Sequence, residues 1–166
     1  MAIERLGVYY HRQHGLDFRC IRLPIVVSPY AHPGAASSYA SLAISEAAIK
    51  GQFTFHVRPT CRPAIIYIKE VLQAILNLIA APRDRLTQCV YNIQAISPTA
   101  AELAEAIRKF LPDAQMEFQP HAKVANLIDS WPIVFDDIRA RTDWDWQPSF
   151  NLTTMVQDFI QELGNH

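Results

Sequence analysis

Ile3, Leu6, Gly7 and Tyr10 recur at i, i+3, i+4 and i+7, which predicts a helix with one apolar face, and Gly15 closes it where a left-handed stop suits glycine. The period then shortens, and "DFRCIRLPIVVSP" reads as a strand running into a proline-punctuated loop. After the loop "YAHPGAA", Ser37 or Ser38 can cap a helix through "YASLAISEAAIK" that ends at Gly51. Short strands are expected at "QFTFHV" and "PAIIYI", followed by a helix, "KEVLQAILNLIAAP", burying Val71, Leu72, Ile75, Leu76 and Ile79. A strand at "CVYNIQA" leads to Ser97 and Pro98, where Thr99 and Glu102 are spaced for a capping box on a helix reaching about Leu111. "AQMEF" predicts a last strand, and "DDIRARTDW" and "LTTMVQDFIQEL" predict two closing helices begun by Asp136 and Asn151.

Strands alternating with helices define an α/β chain. With no repeat, low-complexity tract or linker, residues 1–166 read as a single domain. The first helix is odd in one respect: it is in full stride at the first residue, with no Ser, Thr, Asp or Asn before it to satisfy its leading N–H groups.

Composition narrows the function. Fifteen Lys and Arg against sixteen Asp and Glu leave no basic block, which argues against nucleic acid and anionic membranes as partners. Three cysteines, odd in number, widely spaced and without a CxxC pair, indicate neither a disulfide framework nor a zinc site, and six histidines lack a ligand spacing such as HExxH. No metal is therefore expected, and a reducing, cytoplasmic setting fits. No apolar run reaches the roughly 18 residues of a membrane span, and no signal-peptide pattern follows Met1. The five glycines, at 7, 15, 34, 51 and 164, form no GxxGxxG turn of the kind that cradles a pyrophosphate.

Several strings carry more specific information. Ala2, Glu4, Tyr9, Tyr10, Gly15, Arg22 and Pro24, the string "AIIYIKEV" with Glu70, and above all "DSWPIVFDDIRARTDWDW" stand in the order found in the C-terminal half of extended short-chain dehydrogenases/reductases. The chain is thus similar, over nearly its whole length, to the NAD-dependent epimerase/dehydratase family, and most of all to its threonine dehydrogenase branch. The resemblance implies the C-terminal part of a Rossmann-like fold, including the substrate lobe, with the nucleotide-binding strands N-terminal to Met1. It also implies that the lysine of the family's Tyr-x-x-x-Lys would fall immediately before Met1, which accounts for the uncapped helix. Expected of this chain alone, then, is neither hydride transfer nor NAD binding; NAD belongs to the intact parent.

On the same resemblance, Leu23, Pro24, Ile25 and Val26 correspond to the wall against the nicotinamide ring. Ser37 and Ser38 correspond to paired threonines that meet a substrate carboxylate or hydroxyl, although Ser at a helix start also serves simply as a cap. Tyr39 and Ala40 correspond to the family's acid and tyrosine, and Tyr39 either fills the space left by the acid or faces solvent. "LP" and "AAS" around this loop are also similar to sugar-acid dehydrogenases of the D-erythronate type, so the substrate class is an amino acid or a sugar acid. Arg58 and Arg62 are placed either to hold a phosphate or carboxylate or to carry surface charge. Trp131 either lines the pocket or packs, and Trp144 and Trp146 are read as packing residues. A homo-oligomer is expected, because the first helix and the strand after it would lack their inner partners. The alternatives are a non-catalytic remnant serving as a dimerisation or binding module, or part of a sugar-nucleotide epimerase.

Overall fold

Three parallel strand pairs organise the chain, which in this computed structural model is described for residues 2–164. Helix α1 (Ala2–His14) leads into β1 (Cys20–Arg22) and β2 (Ile25–Val27); a single helical turn at Ala36–Ser38 runs into α2 (Tyr39–Lys50). Next come β3 (Gln52–Phe55), β4 (Ile65–Tyr67), α3 (Ile68–Ala80), β5 (Val90–Asn92), α4 (Ala100–Phe110) and β6 (Gln115–Phe118). Helices α5 (Ala122–Asp129), α6 (Ile138–Trp144) and α7 (Leu152–Gly164) complete it. The helix start expected at Met1 lies outside the described residues.

The single strand expected over residues 17–29 is two. Pro24 has no N–H to give a ladder, and the chain changes partners there: β1 pairs with β5, Cys20 opposite Val90, whereas β2 pairs with β4, Ile25 opposite Ile65. The third pair, β3 with β6, places Phe55 beside Phe118 with rings stacked at 4.6 Å. Parallel pairs need covered faces, and α2, α4 and α7 pack on one another around Ile44, Phe55, Leu103, Ile107, Val156 and Phe159. A second core gathers Ile66, Ala74, Tyr91, Ile93, Trp144 and Trp146, so both tryptophans of "WDW" are packing residues.

Local signals in the sequence set several boundaries. Thr99 Oγ1 accepts from Glu102 N–H at 3.1 Å and the Glu102 carboxylate accepts from Thr99 N–H at 2.6 Å, the expected capping box. Asn151 and Thr154 reciprocate in the same way at the start of α7. Gly15 and Gly51 close α1 and α2 at φ 66° and 71°. At α6 the Asp136 carboxylate accepts from Ile138 N–H at 3.1 Å.

Helix α3 turns a different face inward from the one expected. Glu70, Val71, Ala74 and Leu78 are buried, while Leu72, Ile75, Leu76 and Ile79 are 41–67% exposed. Lys69, Glu70, Gln73 and Asn77 lie along one side and the apolar period points Leu72, Ile75, Leu76 and Ile79 the other way, yet the helix turns the edge between them, Val71, Ala74 and Leu78, inward, where the small Ala74 lets it approach β2 and β4. Helix α1 forms as expected, but none of its residues is buried and Ile3 is 82% exposed. Helix α5 has no start signal in the sequence, and its N-cap residue, His121, makes no side-chain capping bond.

Candidate functional site

A cleft of about 450 Å³ opens where β2 departs from β1. One wall is Leu23, Pro24, Ile25 and Val26, the floor is Pro63 and Ala64, and Trp131, Pro132 and Phe135 form the outer wall. Ser37 and Ser38 reach it from the helical turn before α2. Seven residues singled out from the sequence, Leu23 to Val26, Ser37, Ser38 and Trp131, thus share one cleft although more than 100 positions separate the first from the last.

The two serines are held there without acting as caps. Ala35 occupies the extended N-cap position of the turn, and Ser38, already helical at φ −74°, makes no side-chain capping bond. Ser41, one turn further on and buried, accepts from Ser28 N–H at 3.1 Å and so ties the end of β2 to the start of α2. That bond sets Ser37 and Ser38 beside the apolar wall. Both serines stand at the N-terminal end of α2, where the helix dipole favours an anion.

Tyr39 and Arg62 are not brought into this cleft. Tyr39 is 8% exposed, its ring edge-on to Phe55, and it lines a separate, larger cleft of about 710 Å³ on the far side, towards β3 and β6. Burial raises its hydroxyl pKa, as does the Cys61 thiol it meets; that thiol meets the Asp129 carboxylate in turn. Arg58 pairs with Asp129 and donates to Asn126 Oδ1 at 2.6 Å, so it is committed within the chain. Arg62 donates to the Ser97 carbonyl at 2.6 Å and braces the floor from outside.

Glu70, in the acid position noted from the sequence, is buried and wholly engaged. One oxygen accepts from Ser149 and Phe150 N–H at 2.8 and 3.0 Å, the other from Tyr67 N–H at 3.4 Å. Its place is structural: it fastens α3 to the segment leading into α7.

Leu23, Pro24, Ile25 and Val26 give the cleft one apolar wall, a surface of the kind that could back a flat, neutral ring. The described residues do not fit the diphosphate end of a dinucleotide. Gly15 and Gly51 close helices rather than opening them, and Gly34 stands alone in its loop.

Parallel strands joined by helices, with a cleft beside the strand ends, define a Rossmann-like α/β fold. The chain belongs to the NAD dependent epimerase/dehydratase family, whose profile matches residues 1–93. It is 35% identical over 164 residues to the mitochondrial L-threonine 3-dehydrogenase of Sus scrofa, covering 98% of this chain and 44% of that protein. The crystal structure of L-threonine dehydrogenase from Phytophthora infestans superposes with a TM-score of 0.91 at 36% identity, over 99% of this chain and 53% of that one. A monomeric L-threonine 3-dehydrogenase from a metagenome matches with a TM-score of 0.89 at 30% identity, over 98% and 53%. The chain spans about half the length of these relatives. Among the described residues, no helix is long and apolar enough to cross a membrane.

Proposed function

We propose that this chain is the substrate-binding half of an NAD-dependent, threonine-type dehydrogenase. Residues 1–166 in this reading form one unit that supplies the nicotinamide wall and the substrate contacts but not the proton-transfer residue. The observation that carries it is that Ser37 and Ser38, at the N-terminal end of α2, line the cleft walled by Leu23–Val26. NAD, bound mainly by residues outside this chain, supplies the hydride acceptor. The chain's own groups orient the substrate: the serine hydroxyls and the helix end hold a carboxylate, and the apolar wall keeps water from the reacting carbon.

The test is a chimera in which residues 2–164 replace the matched half of the Phytophthora infestans enzyme. NAD reduction with L-threonine is expected, with D-erythronate as the competing substrate. A folded, NAD-binding chimera that oxidises neither acid overturns the reading.

A second reading, that the chain associates with itself, is supported by the exposed apolar residues of α1 and α3 and by β1, which pairs only with β5 among the described residues. The partners are then a small acid and a second copy of the chain.

A further inference from the structure

We infer that Gln94 is the positioning residue that fixes the outer wall of the cleft, and with it the cleft's grip on substrate. Residues 130–137 carry no regular structure yet supply Trp131, Pro132 and Phe135 to the cleft. Trp131 packs half-buried against the first core, but Ile133 and Val134, at the crest of this strap, are 52% and 72% exposed, so burial does not hold that part of it. Hydrogen bonds do, and they converge on the chain just after β5. The Gln94 side-chain oxygen accepts from Phe135 N–H. Its amide nitrogen donates to the Ile133 carbonyl at 3.4 Å and to Ser97 Oγ at 3.2 Å, and Ser97 Oγ donates to the same Ile133 carbonyl at 2.6 Å. The primary amide thus accepts from one strap residue through its oxygen and donates to another through its nitrogen. Outside this pair, Ala64 N–H bonds to the Pro132 carbonyl at 3.3 Å and Asn92 Nδ2 to the Asp136 carbonyl at 3.2 Å.

The backbone of Gln94 has a separate task. Its carbonyl accepts from Trp146 Nε1 at 3.3 Å, inside the second core. A change of the side chain alone therefore removes the bonds to Phe135 and Ile133 while leaving the Trp146 anchor in place. That separation distinguishes a positioning role from a general structural one.

The substrate consequence rests on the functional reading above; the strap itself is measured independently. The 166-residue chain labelled with 5-fluorotryptophan gives three fluorine signals, and Trp131→Phe assigns the one in the cleft. In Gln94→Met, the Trp131 signal is expected to shift and broaden while those of Trp144 and Trp146 stay, and elastase cleavage at Ile133–Val134 is expected to accelerate about tenfold or more as the hydrogen bonds are lost. L-threonine or D-erythronate, titrated at the Trp131 signal, should bind about tenfold more weakly to Gln94→Met than to the unsubstituted chain. Should Gln94→Met fail to fold, Ser97→Ala, which removes one donor to the strap, must release it instead. An unchanged Trp131 signal with unchanged cleavage, or a shift of all three tryptophans together, overturns the proposal. Equal affinity in a variant whose strap is freed overturns it too. If the unsubstituted chain binds neither acid by itself, the affinity comparison moves to the chimera, whose failure with both acids is what overturns the functional reading, and the Trp131 response and cleavage rate decide the role of Gln94.

Discussion

The ring of Phe18 lies so close over Gly7 that a Cβ built on the glycine would stand 2.3 Å from it. Helix α1 buries none of its residues, so this contact and the Glu4–Arg22 ion pair are what seat it against β1. Alanine in a helix is favoured over glycine by roughly 1 kcal/mol, whereas overpacking costs about 1–3 kcal/mol. Gly7→Ala is therefore expected to loosen α1, read as faster tryptic cleavage at Arg5 and Arg12. In a Phe18→Ala background the same substitution should become stabilising. A loosening of equal size in both backgrounds would show that the ring is not the cause.

Asp143 is expected to set the acid limit of the second core. Burial opposes its charge, but Thr87, Tyr91 and Thr142 donate to it, three of those bonds falling on one oxygen at 2.6–2.9 Å, and its pKa is lowered on balance. A carboxylate whose folded pKa is lowered contributes stability that is complete above its unfolded value of about 3.9 and is lost as pH falls through the folded value. Asp143→Asn should flatten the stability profile below about pH 4, and Asp143→Ala, which strands several buried donors, should cost about 3 kcal/mol at neutral pH. Urea melts across pH check both; an unaltered acid limb in Asp143→Asn excludes this carboxylate as its source.

These local features differ in how far the sequence discloses them. Thr99 with Glu102, Asn151 with Thr154, and the stops at Gly15 and Gly51 are legible because partner and position lie within four residues. The inward face of α3 is not, because the apolar period is strongest along Leu72, Ile75, Leu76 and Ile79, which stay exposed, while the buried edge of Val71, Ala74 and Leu78 carries Glu70, whose partners Ser149 and Phe150 lie far along the chain. The cleft is legible through family resemblance at Leu23–Val26, Ser37, Ser38 and Trp131. Gln94 and Ser41 carry no signal, since each acts through a contact 13 or more residues away that no local pattern announces.

Cys61 should be the slowest of the three thiols to react. It is 1% exposed, and burial, with the Asp129 carboxylate beside it, pushes its pKa up to about 12. Thiolate is the reactive form, so iodoacetamide at pH 8 is expected to label Cys20 and Cys89, both half-buried, and to reach Cys61 only on unfolding. Mass spectrometry of the labelled peptides gives the order, and early labelling of Cys61 would contradict its placement.

Ser38→Ala separates a cap from a ligand contact. A capping serine loses about 0.5–2 kcal/mol of stability on this change. Ser38 makes no such bond, so its melting temperature is expected to stay within error, while kcat/KM of the chimera for its acid substrate falls about ten- to hundredfold, as for a lost bond to a charged group. The KM for NAD should not move. A destabilised variant with unimpaired kinetics would return Ser38 to the role of a helix-start residue.

Self-association is expected to run through α3. Leu72, Ile75, Leu76 and Ile79 form an exposed apolar stripe at i, i+3, i+4 and i+7, a face that apolar burial favours covering at about 25 cal/mol per Å². Helix α1 adds Ile3, Leu6 and Tyr10, but it is seated by few contacts and contributes a less rigid surface. Sedimentation of the 166-residue chain should therefore show a concentration-dependent dimer or larger species. Leu76→Glu should weaken it more than Leu6→Glu, because a charge on the firmer face must be buried or the face uncovered. Both substitutions lie on exposed positions, so the fold survives them and far-ultraviolet circular dichroism should be unchanged. A monomer that persists at every concentration defeats the prediction, and a dimer indifferent to Leu76→Glu moves the contact away from α3.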